Sequence, residues 1–408
     1  MSGGRREHMN AVGIVSEYNP FHLGHLYHLE KTRELSEEGA VIICALSGDF
    51  VQRGEPSVMS KFARSEAALL CGADIVAELP SVWALQSAEG YASAATKILS
   101  AMGTETLSFG TEADDPDGLM QIAEVLCSGT FEEALSEAVK ERSGISYPAV
   151  REELLRRFVG AKADLIRTPN NILAVEYMKA VMKNESGIRF LPVPRIGAEH
   201  DSISTGQIRS ASEIRNMLLN GEDISAYVPE NSSRIICREI KSGRGPVSLK
   251  AIEQAIVSSL RGMRAEDFRK IKDCDEELSE RIEAAIAGNY ALDDIFATAK
   301  TRKYALSRIR RVCMCAALEI TEEMQRRPLP YVRILAANQA GQAYLKQLKK
   351  EKPDIPMAIR PADILKMNDA CRETIRKDSM IHDFYVLGYS SPEEMICGMD
   401  FRYSPVML

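Results

Sequence analysis

The sequence lacks a long apolar run. No stretch of its 408 residues approaches the roughly 20 consecutive apolar residues that cross a bilayer. Residues 1–8 are basic, but no apolar segment of signal-peptide form follows them, so we interpret them as a disordered start or a cloning remnant. We therefore expect a cytoplasmic protein without a membrane partner.

Paired cysteines are missing as well. The nine cysteines are scattered, none belongs to a Cys-x-x-Cys pair, and Cys313 and Cys315 are too close together for a usual zinc pair. Scattered cysteines are typical of buried free thiols rather than of a disulfide framework or a zinc site. The sequence therefore predicts no metal site built by the protein itself.

Positive charge is not in excess, because acidic residues outnumber basic ones and the formal net charge is −7. This excludes a protein coated in positive charge, but it allows a local basic face. The second half of the chain carries three basic groups, at residues 261–272, 302–311 and 346–352. For any one group a solvated helix face is the simpler interpretation, although basic side chains with aromatic neighbours also suit an RNA backbone.

Histidine is scarce, yet half of it is concentrated in one place. Of the six histidines, His22, His25 and His28 lie close together. They follow an apolar run at residues 11–15 that predicts a buried strand, which a proline-containing turn then interrupts. A helical pattern begins next, so the His-x-Gly-His motif is predicted where a strand turns into a helix.

This position suits an anionic ligand. The first turn of a helix has unpaired backbone N–H groups and the positive end of the helix dipole, so it attracts phosphate. Gly24 allows close approach of the backbone, and the two imidazoles can donate hydrogen bonds to phosphate oxygens as negative charge develops. Taken alone, the short motif fits a capped helix with solvated histidines about equally well. The strand before it and the helix after it favour the phosphate site.

Strand and helix patterns alternate through the first half of the chain. Strand-like apolar runs occur at residues 40–46, 74–79, 106–109 and 188–193, and helical patterns at 61–71, 86–102 and 170–182. Such alternation with short loops predicts an α/β fold with a parallel sheet wrapped by helices. Ligands of such sheets bind at the carboxyl ends of strands, so residues 16–17, 47–49 and 110–111 are expected to converge on one cleft.

The second half is predicted to be mainly helical. Residues 117–165 are interpreted as a helical insertion into the first domain, and the Gly-rich segment 242–246 is the best candidate for a linker. Beyond it helical patterns dominate, and residues 331–359 suggest a small β-α-β unit. We therefore predict domains at 11–240 and 247–408.

The loop at residues 47–56 is a candidate substrate loop. It contains two glycines, a proline, two acidic residues and an arginine directly after a predicted strand. A simple surface turn is the alternative. On the helix that follows, Lys61, Arg64 and Glu66 are expected to form a solvated face.

Several strings in this sequence resemble one protein family. The His-x-Gly-His string at residues 22–25 is similar to the signature of the nucleotidylyltransferase superfamily, and the longer string at 17–29 resembles the bacterial tRNA(Met) cytidine acetate ligase family. Strings at residues 47–56, 108–112, 168–173, 195–201, 210–215 and 301–304 resemble the same family. One difference is Asp49, where the family commonly has asparagine, so the role of Asp49 is open.

The resemblance implies a Rossmann-like domain that binds ATP. It assigns catalysis to His22 and His25, contact with the nucleotide to Gly110, and neutralisation of phosphate charge to Arg195. The full set of ATP-binding residues that it implies is Val15, Ser16, Glu17, Tyr18, Asn19, Pro20, Phe21, His22, Gly24, His25, His28, Gly110, Asn170, Asn171, Arg195 and Ser210.

Two of these assignments have a structural alternative. The ATP-contacting asparagine would be Asn170 or Asn171, whose amides can read an adenine edge, but helix capping by Asn170 explains one of them equally well. Ser210 begins a Ser-x-x-x-Ile-Arg element that would lie near the β- and γ-phosphates at a helix N-terminus. A plain capping box with Glu213 has the same appearance in the sequence.

The resemblance further implies the reaction. The enzyme would use ATP, accompanied by Mg²⁺, to activate acetate as acetyl-adenylate. It would then transfer the acetyl group to N4 of the wobble cytidine (position 34) of elongator tRNA(Met), giving N4-acetylcytidine. The C-terminal region would bind the tRNA, with Arg302, Lys303, Arg308 and Arg311 as expected contacts, and DNA would not be a partner.

Two other functions remain open at this point. A nucleotidylyltransferase that acts on a small phosphorylated metabolite fits the His-x-Gly-His cleft equally well, although it has no need of a long basic helical extension. A non-catalytic RNA-binding protein is the second alternative. The retention of both motif histidines, Gly24, Arg195 and Ser210 argues against it.

Overall fold

The architecture is built around one β-sheet, which the computed structural model describes with its helices for residues 10–112, 114–141, 147–195 and 209–408. The strands are β1 (Ala11–Ser16), β2 (Val41–Ser47), β3 (Phe50–Val51), β4 (Glu55–Pro56), β5 (Ile75–Leu79), β6 (Thr106–Thr111), β7 (Arg189–Pro194), β8 (Val332–Ala337), β9 (Met357–Ala358) and β10 (Val406–Met407). β3 and β4 form a separate antiparallel hairpin, and the other strands form the sheet.

Helices surround this sheet. They are α1 (Leu23–Leu35), α2 (Lys61–Leu70), α3 (Ser81–Ala84), α4 (Ala88–Ala101), α5 (Pro116–Cys127), α6 (Gly129–Glu141), α7 (Tyr147–Val159), α8 (Pro169–Lys183), α9 (Ala211–Leu219), α10 (Glu230–Lys241), α11 (Glu253–Arg261), α12 (Ala265–Phe268), α13 (Glu276–Gly288), α14 (Leu292–Ala299), α15 (Leu306–Ala317), α16 (Glu322–Arg326), α17 (Gln339–Glu351), α18 (Pro361–Ile364) and α19 (Asp369–Tyr385). Short 3₁₀ helices occur at Gly160–Arg167, Val386–Gly388, Pro392–Glu394 and Met399–Phe401. The segment predicted as a helical insertion is mainly helical where it is described, and its residues 142–146 lie outside the described residues.

The strand order is β10-β8-β5-β2-β1-β6-β7, with β9 paired to β8. β1, β2, β5, β6 and β7 are parallel to one another, so the predicted parallel sheet of a Rossmann-like α/β fold is confirmed. Every residue of β2 is buried, which explains why this strand is a continuous apolar run rather than an alternating one.

The C-terminal part of the chain extends the same sheet. β8 pairs antiparallel with β5, and β9 and β10 pair in parallel with β8. The predicted β-α-β unit is therefore present as β8, α17 and β9, but its first strand belongs to the main sheet. A strand's own apolar pattern does not specify its pairing partner, so this extension was not predicted. The domain limits at 240 and 247 remain a prediction.

Apolar side chains pack on both faces of the sheet. Ile43 and Ala45 of β2 pack in a cluster with α4, α8 and the C-terminal helices, whereas Ile42 and Cys44 pack in a second cluster with α2, α9 and α10. This division follows from the alternation of side chains along a strand. None of the helices that the structure describes combines the length and the apolar character needed to cross a bilayer.

Candidate active site

The carboxyl end of β1 leads directly into the histidine motif. After Ser16 the chain turns through residues 17–21, where Tyr18 has a φ of 43°, and enters α1 with His22 as its N-cap. The predicted transition from strand to helix at the motif is confirmed.

His22 and His25 form a capping box with each other. Nδ1 of His22 accepts a hydrogen bond from the backbone N–H of Gly24 at 3.0 Å, and Nδ1 of His25 accepts one from the backbone N–H of His22 at 3.3 Å. The two rings are stacked, with centroids 3.7 Å apart. Because both Nδ1 atoms act as acceptors, the single proton of each neutral imidazole lies on Nε2. The backbone thus fixes the tautomer in which Nε2 is a hydrogen-bond donor.

The surroundings of these rings keep them neutral. Burial, and to a smaller extent the guanidinium groups of Arg195 and Arg215, lower the pKa of His22 to about 4. Burial and the neighbouring His22 hold the pKa of His25 well below its usual range, although a hydrogen bond to the Pro20 carbonyl opposes this shift. At pH 7 the motif therefore offers neutral N–H donors beside fixed positive charge.

His28 has different contacts from the other two histidines. Its Nε2 lies 3.0 Å from the Ser108 hydroxyl, which lies 2.6 Å from the hydroxyl of Thr32. Burial, and then Arg195, lower the pKa of His28 to about 4. This chain of hydrogen bonds ties α1 to β6, so the described contacts of His28 Nε2 are structural.

Three of the predicted ATP-binding side chains pack inside the turn at residues 17–21. Tyr18 places its hydroxyl 3.4 Å from Cys44 Sγ, and Asn19 accepts a hydrogen bond from the Val58 backbone N–H at 2.8 Å. Phe21 is buried with its ring 5.7 Å from that of His25. These side chains shape the turn, to which Pro20 also belongs, while Val15 and Ser16 are the last residues of β1.

Arg64 fixes the floor of the cleft. It is buried, and it donates to the carbonyls of Glu17 at 2.6 Å and Met59 at 2.9 Å, and also to that of Gly48. The expectation that Lys61 and Arg64 face solvent is therefore wrong. An arginine that satisfies several loop carbonyls can be buried, but these acceptors are dispersed along the sequence and leave no local signal.

Glu17 lies beside this floor and is half-buried. One of its carboxylate oxygens accepts a hydrogen bond from the Gln52 backbone N–H at 3.0 Å. Burial raises the pKa of Glu17, and the charges of Arg215, Arg53 and Arg64 oppose that shift. The loop at residues 47–56 therefore closes over the end of β1.

Asp49 points away from this cleft. Its carboxylate accepts from the Lys61 backbone N–H at 2.7 Å and lies 2.8 Å from Nδ1 of His382. Burial would raise the pKa of Asp49, but the neighbouring His382 and Lys61 lower it overall. The same residues show why a carboxylate is accommodated where the resemblance has asparagine: the charge is paired inside the protein.

A second group of predicted residues meets at the ends of β6 and β7. Arg195 donates from Nη1 to Oδ1 of Asn170 at 3.1 Å, and the Asn170 amide in turn donates to Glu112. A Cβ added to Gly110 would lie 3.3 Å from Cγ of Arg195, so the absence of a side chain there makes room for the arginine. Sequence reasoning missed Glu112, whose position two residues after Gly110 was the available signal. Residues 196–201 of the Arg195 string lie outside the described residues.

Asn171 is distinguished from Asn170 by its burial. Its Oδ1 accepts from the Glu112 backbone N–H at 3.0 Å, and its amide donates to the Leu165 carbonyl at 2.9 Å. Both ends of this buried amide are therefore used within the protein, whereas Asn170 is half-buried beside Arg195.

Ser210 is the N-cap of α9 and forms the capping box that its sequence predicts. It accepts from the Glu213 backbone N–H at 3.3 Å and is exposed. On the same helix, Arg215 donates to the Asn19 carbonyl at 3.0 Å, which places a guanidinium beside the histidine motif. Arg215 was not among the predicted site residues, although it ends the Ser-x-x-x-Ile-Arg string.

A buried ionic cluster lies behind the cleft. Nζ of Lys61 is 2.6 Å from Glu78, 3.0 Å from Asp378 and 2.7 Å from Asp400, and Arg333 pairs with Asp400 as well. Within the described ranges, these three carboxylates are the one group of potential metal ligands close enough together to share an ion. The lysine ammonium already stands among them, so they form a charge-compensated core and not a cation site.

The predicted tRNA-binding side chains are partly neutralised by acidic residues. Lys303 lies 2.6 Å from Glu277, and Arg308 lies 3.4 Å from Asp275 and donates to the Asp273 carbonyl. Arg302, which is exposed, and Arg311, which is half-buried, have no ion pair within the described ranges.

Comparisons with known proteins identify the family of this chain. The family model described as HIGH Nucleotidyl Transferase matches residues 9–397. A protein of Thermosipho melanesiensis named tRNA(Met) cytidine acetate ligase is 34% identical over 97% of this chain and 98% of its own length. One of Acetivibrio thermocellus with the same name is 35% identical over 98% of this chain and 100% of its own length. The crystal structure of Thermotoga maritima TmcAL bound with alpha-thio ATP matches with a TM-score of 0.89 at 32% identity, covering 98% of this chain and 100% of that chain.

Proposed function

The chain belongs to the HIGH nucleotidyl transferase family, among the tRNA(Met) cytidine acetate ligases, and we propose that it forms acetyl-adenylate from ATP and acetate and acetylates N4 of the wobble cytidine (position 34) of elongator tRNA(Met). The observation that carries this proposal is the convergence of two groups. β6 lies between β1 and β7, and His28 of α1 lies 3.0 Å from Ser108 of β6, so the His22–His25 capping box and the Gly110–Asn170–Arg195 group are at the same edge of the sheet.

In the first step, a carboxylate oxygen of acetate attacks the α-phosphorus of ATP, and the bond from that phosphorus to the bridging oxygen of pyrophosphate breaks. The Nε2–H group of His22 donates to the oxygens on which negative charge develops, and His25 does the same once its Nε2–H leaves the Pro20 carbonyl. Arg195 and Arg215 hold the phosphate tail, with Ser210 at the start of α9. Neutral donors suit this role. A charged imidazolium would add to the positive charge of Arg195 and Arg215 and would slow the release of pyrophosphate.

In the second step, N4 of the cytidine attacks the acetyl carbonyl carbon. The N4–carbon bond forms, the carbon–oxygen bond to AMP breaks, and N4 loses one proton. Activation is needed because an unmodified carboxylate has a poor leaving group, whereas AMP leaves readily. The proposal includes a cytoplasmic enzyme whose nucleic-acid partner is RNA and not DNA, since the acceptor is a tRNA nucleotide.

Mg²⁺ is proposed to accompany ATP. This ion keeps several of its waters and is usually held by one or two carboxylates together with substrate phosphates, so it needs no dedicated protein cage. The carboxylate group formed by Glu78, Asp378 and Asp400 does not fit it, because the ammonium of Lys61 already occupies that space. The ion would supply charge neutralisation on the phosphates, beside the contribution of Arg195.

Asn170→Ala and Asn171→Ala are expected to have different effects. Loss of the half-buried Asn170 removes the acceptor that orients Arg195, so the KM for ATP should rise about tenfold or more with an unchanged unfolding midpoint. Loss of the buried Asn171 leaves the partly buried Glu112 N–H and Leu165 carbonyl unpaired, so it should lower the free energy of unfolding by about 1–3 kcal/mol. Initial rates and urea unfolding measure the two quantities. Equal KM changes in both variants would contradict this division.

The proposed function is tested by incubating the protein with ATP, Mg²⁺ and labelled acetate, with and without elongator tRNA(Met). ATP-dependent label that is recovered as N4-acetylcytidine is the expected result. Pyrophosphate release that requires a phosphorylated metabolite, with no label in RNA, would instead favour the small-molecule nucleotidylyltransferase. RNA binding without any ATP turnover would favour the non-catalytic protein.

A further inference from the structure

A basic groove lies at the edge of the sheet that β10 closes. It has a volume of about 680 Å³ and is bordered by α17, the segment around β9 and α18, and the last residues of the chain. Three cations line it, Lys346, Lys349 and Arg360, together with the apolar side chains of Leu345, Ile359 and Met407. The charged side chains that line the groove are therefore all positive, and its apolar walls strengthen their attraction for an anion.

Lys346 and Lys349 lie on the same face of α17. They are three residues apart, so their side chains are neighbours on the helix surface. Both lysines and Arg360 are exposed. Within the residues that the structure describes, none of the three has an ion pair with a carboxylate, so their charge is available to a ligand.

The other two basic groups are partly neutralised by acidic residues. In the first group, Arg264 and Arg269 each lie 3.6 Å from a glutamate, and Lys270 lies 2.8 Å from Asp267. In the second, Lys303 is paired with Glu277 at 2.6 Å. Arg302 and Arg311 of the second group also lack an ion pair within the described ranges, but they do not line the groove, whereas Lys346, Lys349 and Arg360 line it together.

We propose that this groove binds the phosphate backbone of the substrate tRNA, at a distance from the cleft where the wobble cytidine reacts. This inference rests on the proposed function. β8, which pairs with β9 and β10, is three strands from β1 in the sheet, so the groove and the histidine motif are separated by roughly 14 Å or more at about 4.8 Å per strand. A folded tRNA is long enough to contact both.

Two further lining residues favour RNA over DNA. Ser404 contributes a hydroxyl, and Gln342 contributes a side-chain carbonyl while its amide donates to the Leu408 carbonyl at 3.0 Å. Both groups can pair with a ribose 2′-hydroxyl, which is the group that distinguishes RNA from DNA.

The groove is tested with a triple variant of the full chain, Lys346→Ala/Lys349→Ala/Arg360→Ala. Fluorescence anisotropy with an elongator tRNA(Met) transcript, repeated over a range of KCl concentrations, gives the Kd and its salt dependence. We expect the Kd at low salt to rise at least tenfold. The slope of log Kd against log KCl should fall by roughly 2–3, because each phosphate contact contributes about 0.7–0.9 to it. Acetate-dependent ATP–pyrophosphate exchange should stay within twofold of the wild type.

The matched control is Arg264→Ala/Arg269→Ala/Lys270→Ala, which removes the same number of charges from cations that already have acidic partners. Its Kd and salt slope are expected to stay close to the wild-type values. Equal weakening by both triples would overturn the groove as a specific contact and leave only a general effect of net charge. If the wild type acetylates tRNA and the groove variant has an unchanged Kd for tRNA, the proposal for the groove is wrong and the proposed function stands. If the wild type neither binds nor acetylates tRNA, both fail.

Discussion

His22→Asn is expected to slow acetate-dependent ATP–pyrophosphate exchange by about 10²–10³-fold while the fold stays intact. Asparagine is among the best N-cap residues, so its side-chain oxygen can accept the Gly24 N–H as Nδ1 of His22 does. The start of α1 therefore keeps its cap. The variant loses the Nε2–H donor, which is the group proposed to stabilise charge on the α-phosphate.

His22→Ala provides the comparison. It removes the donor and the cap together, so it should match His22→Asn in exchange rate and should also lower the free energy of unfolding by about 1 kcal/mol. His25→Ala should likewise suppress adenylate formation. All three variants should bind tRNA largely as the wild type does. An active His22→Asn enzyme would show that capping is the whole role of His22.

Lys61→Met is expected to lower the free energy of unfolding by about 3–5 kcal/mol, which is typical when one partner of a buried ionic group is removed. Burial alone would lower the pKa of Lys61, but the carboxylates of Asp378, Asp400 and Glu78 raise it well above its usual range. Without the ammonium, those carboxylates are left buried and repel one another. Urea unfolding of the two proteins under the same conditions measures the difference.

Two further variants test the charge argument. Lys250→Ala removes an exposed lysine that pairs with Glu253 on the surface, and it should leave the unfolding midpoint unchanged. Adding Glu78→Gln to Lys61→Met removes one uncompensated carboxylate and should recover about 1–3 kcal/mol. If Lys61→Met alone unfolds like the wild type, packing and not charge compensation holds this region together.

Local sequence pattern is sufficient for much of the fold. The apolar run before the histidines predicts β1, and the proline-containing turn predicts the change from strand to helix. The parallel sheet then explains why Gly110 and Asn170 lie near Arg195, since all three are at or beside the carboxyl ends of adjacent strands. The capping box at Ser210 is also predicted, because its spacing alone defines it.

Long-range pairing is what the sequence does not reveal. Lys61 and Arg64 look like residues of a solvated helix face, because their carboxylate and carbonyl partners belong to segments elsewhere in the chain. Asn170 and Asn171 are neighbours of the same type, and they are distinguished by which one is buried. The basic groups of the second half are equally ambiguous, since a count of lysines and arginines does not show which of them have acidic partners.

The ionic cluster around Lys61 also has a consequence for biosynthesis. The ribosome makes this lysine early, but Asp378 follows 317 residues later, and Asp400 and β10 later still. Until they emerge, a nascent chain has Lys61 beside Glu78 and Asp49, but it lacks two of the carboxylates of the cluster and the strands that close this edge of the sheet. The usual order, in which an N-terminal domain folds while the rest is translated, does not suit such a chain. The buried cluster and the β10 edge of the sheet are therefore completed near the moment of release from the ribosome.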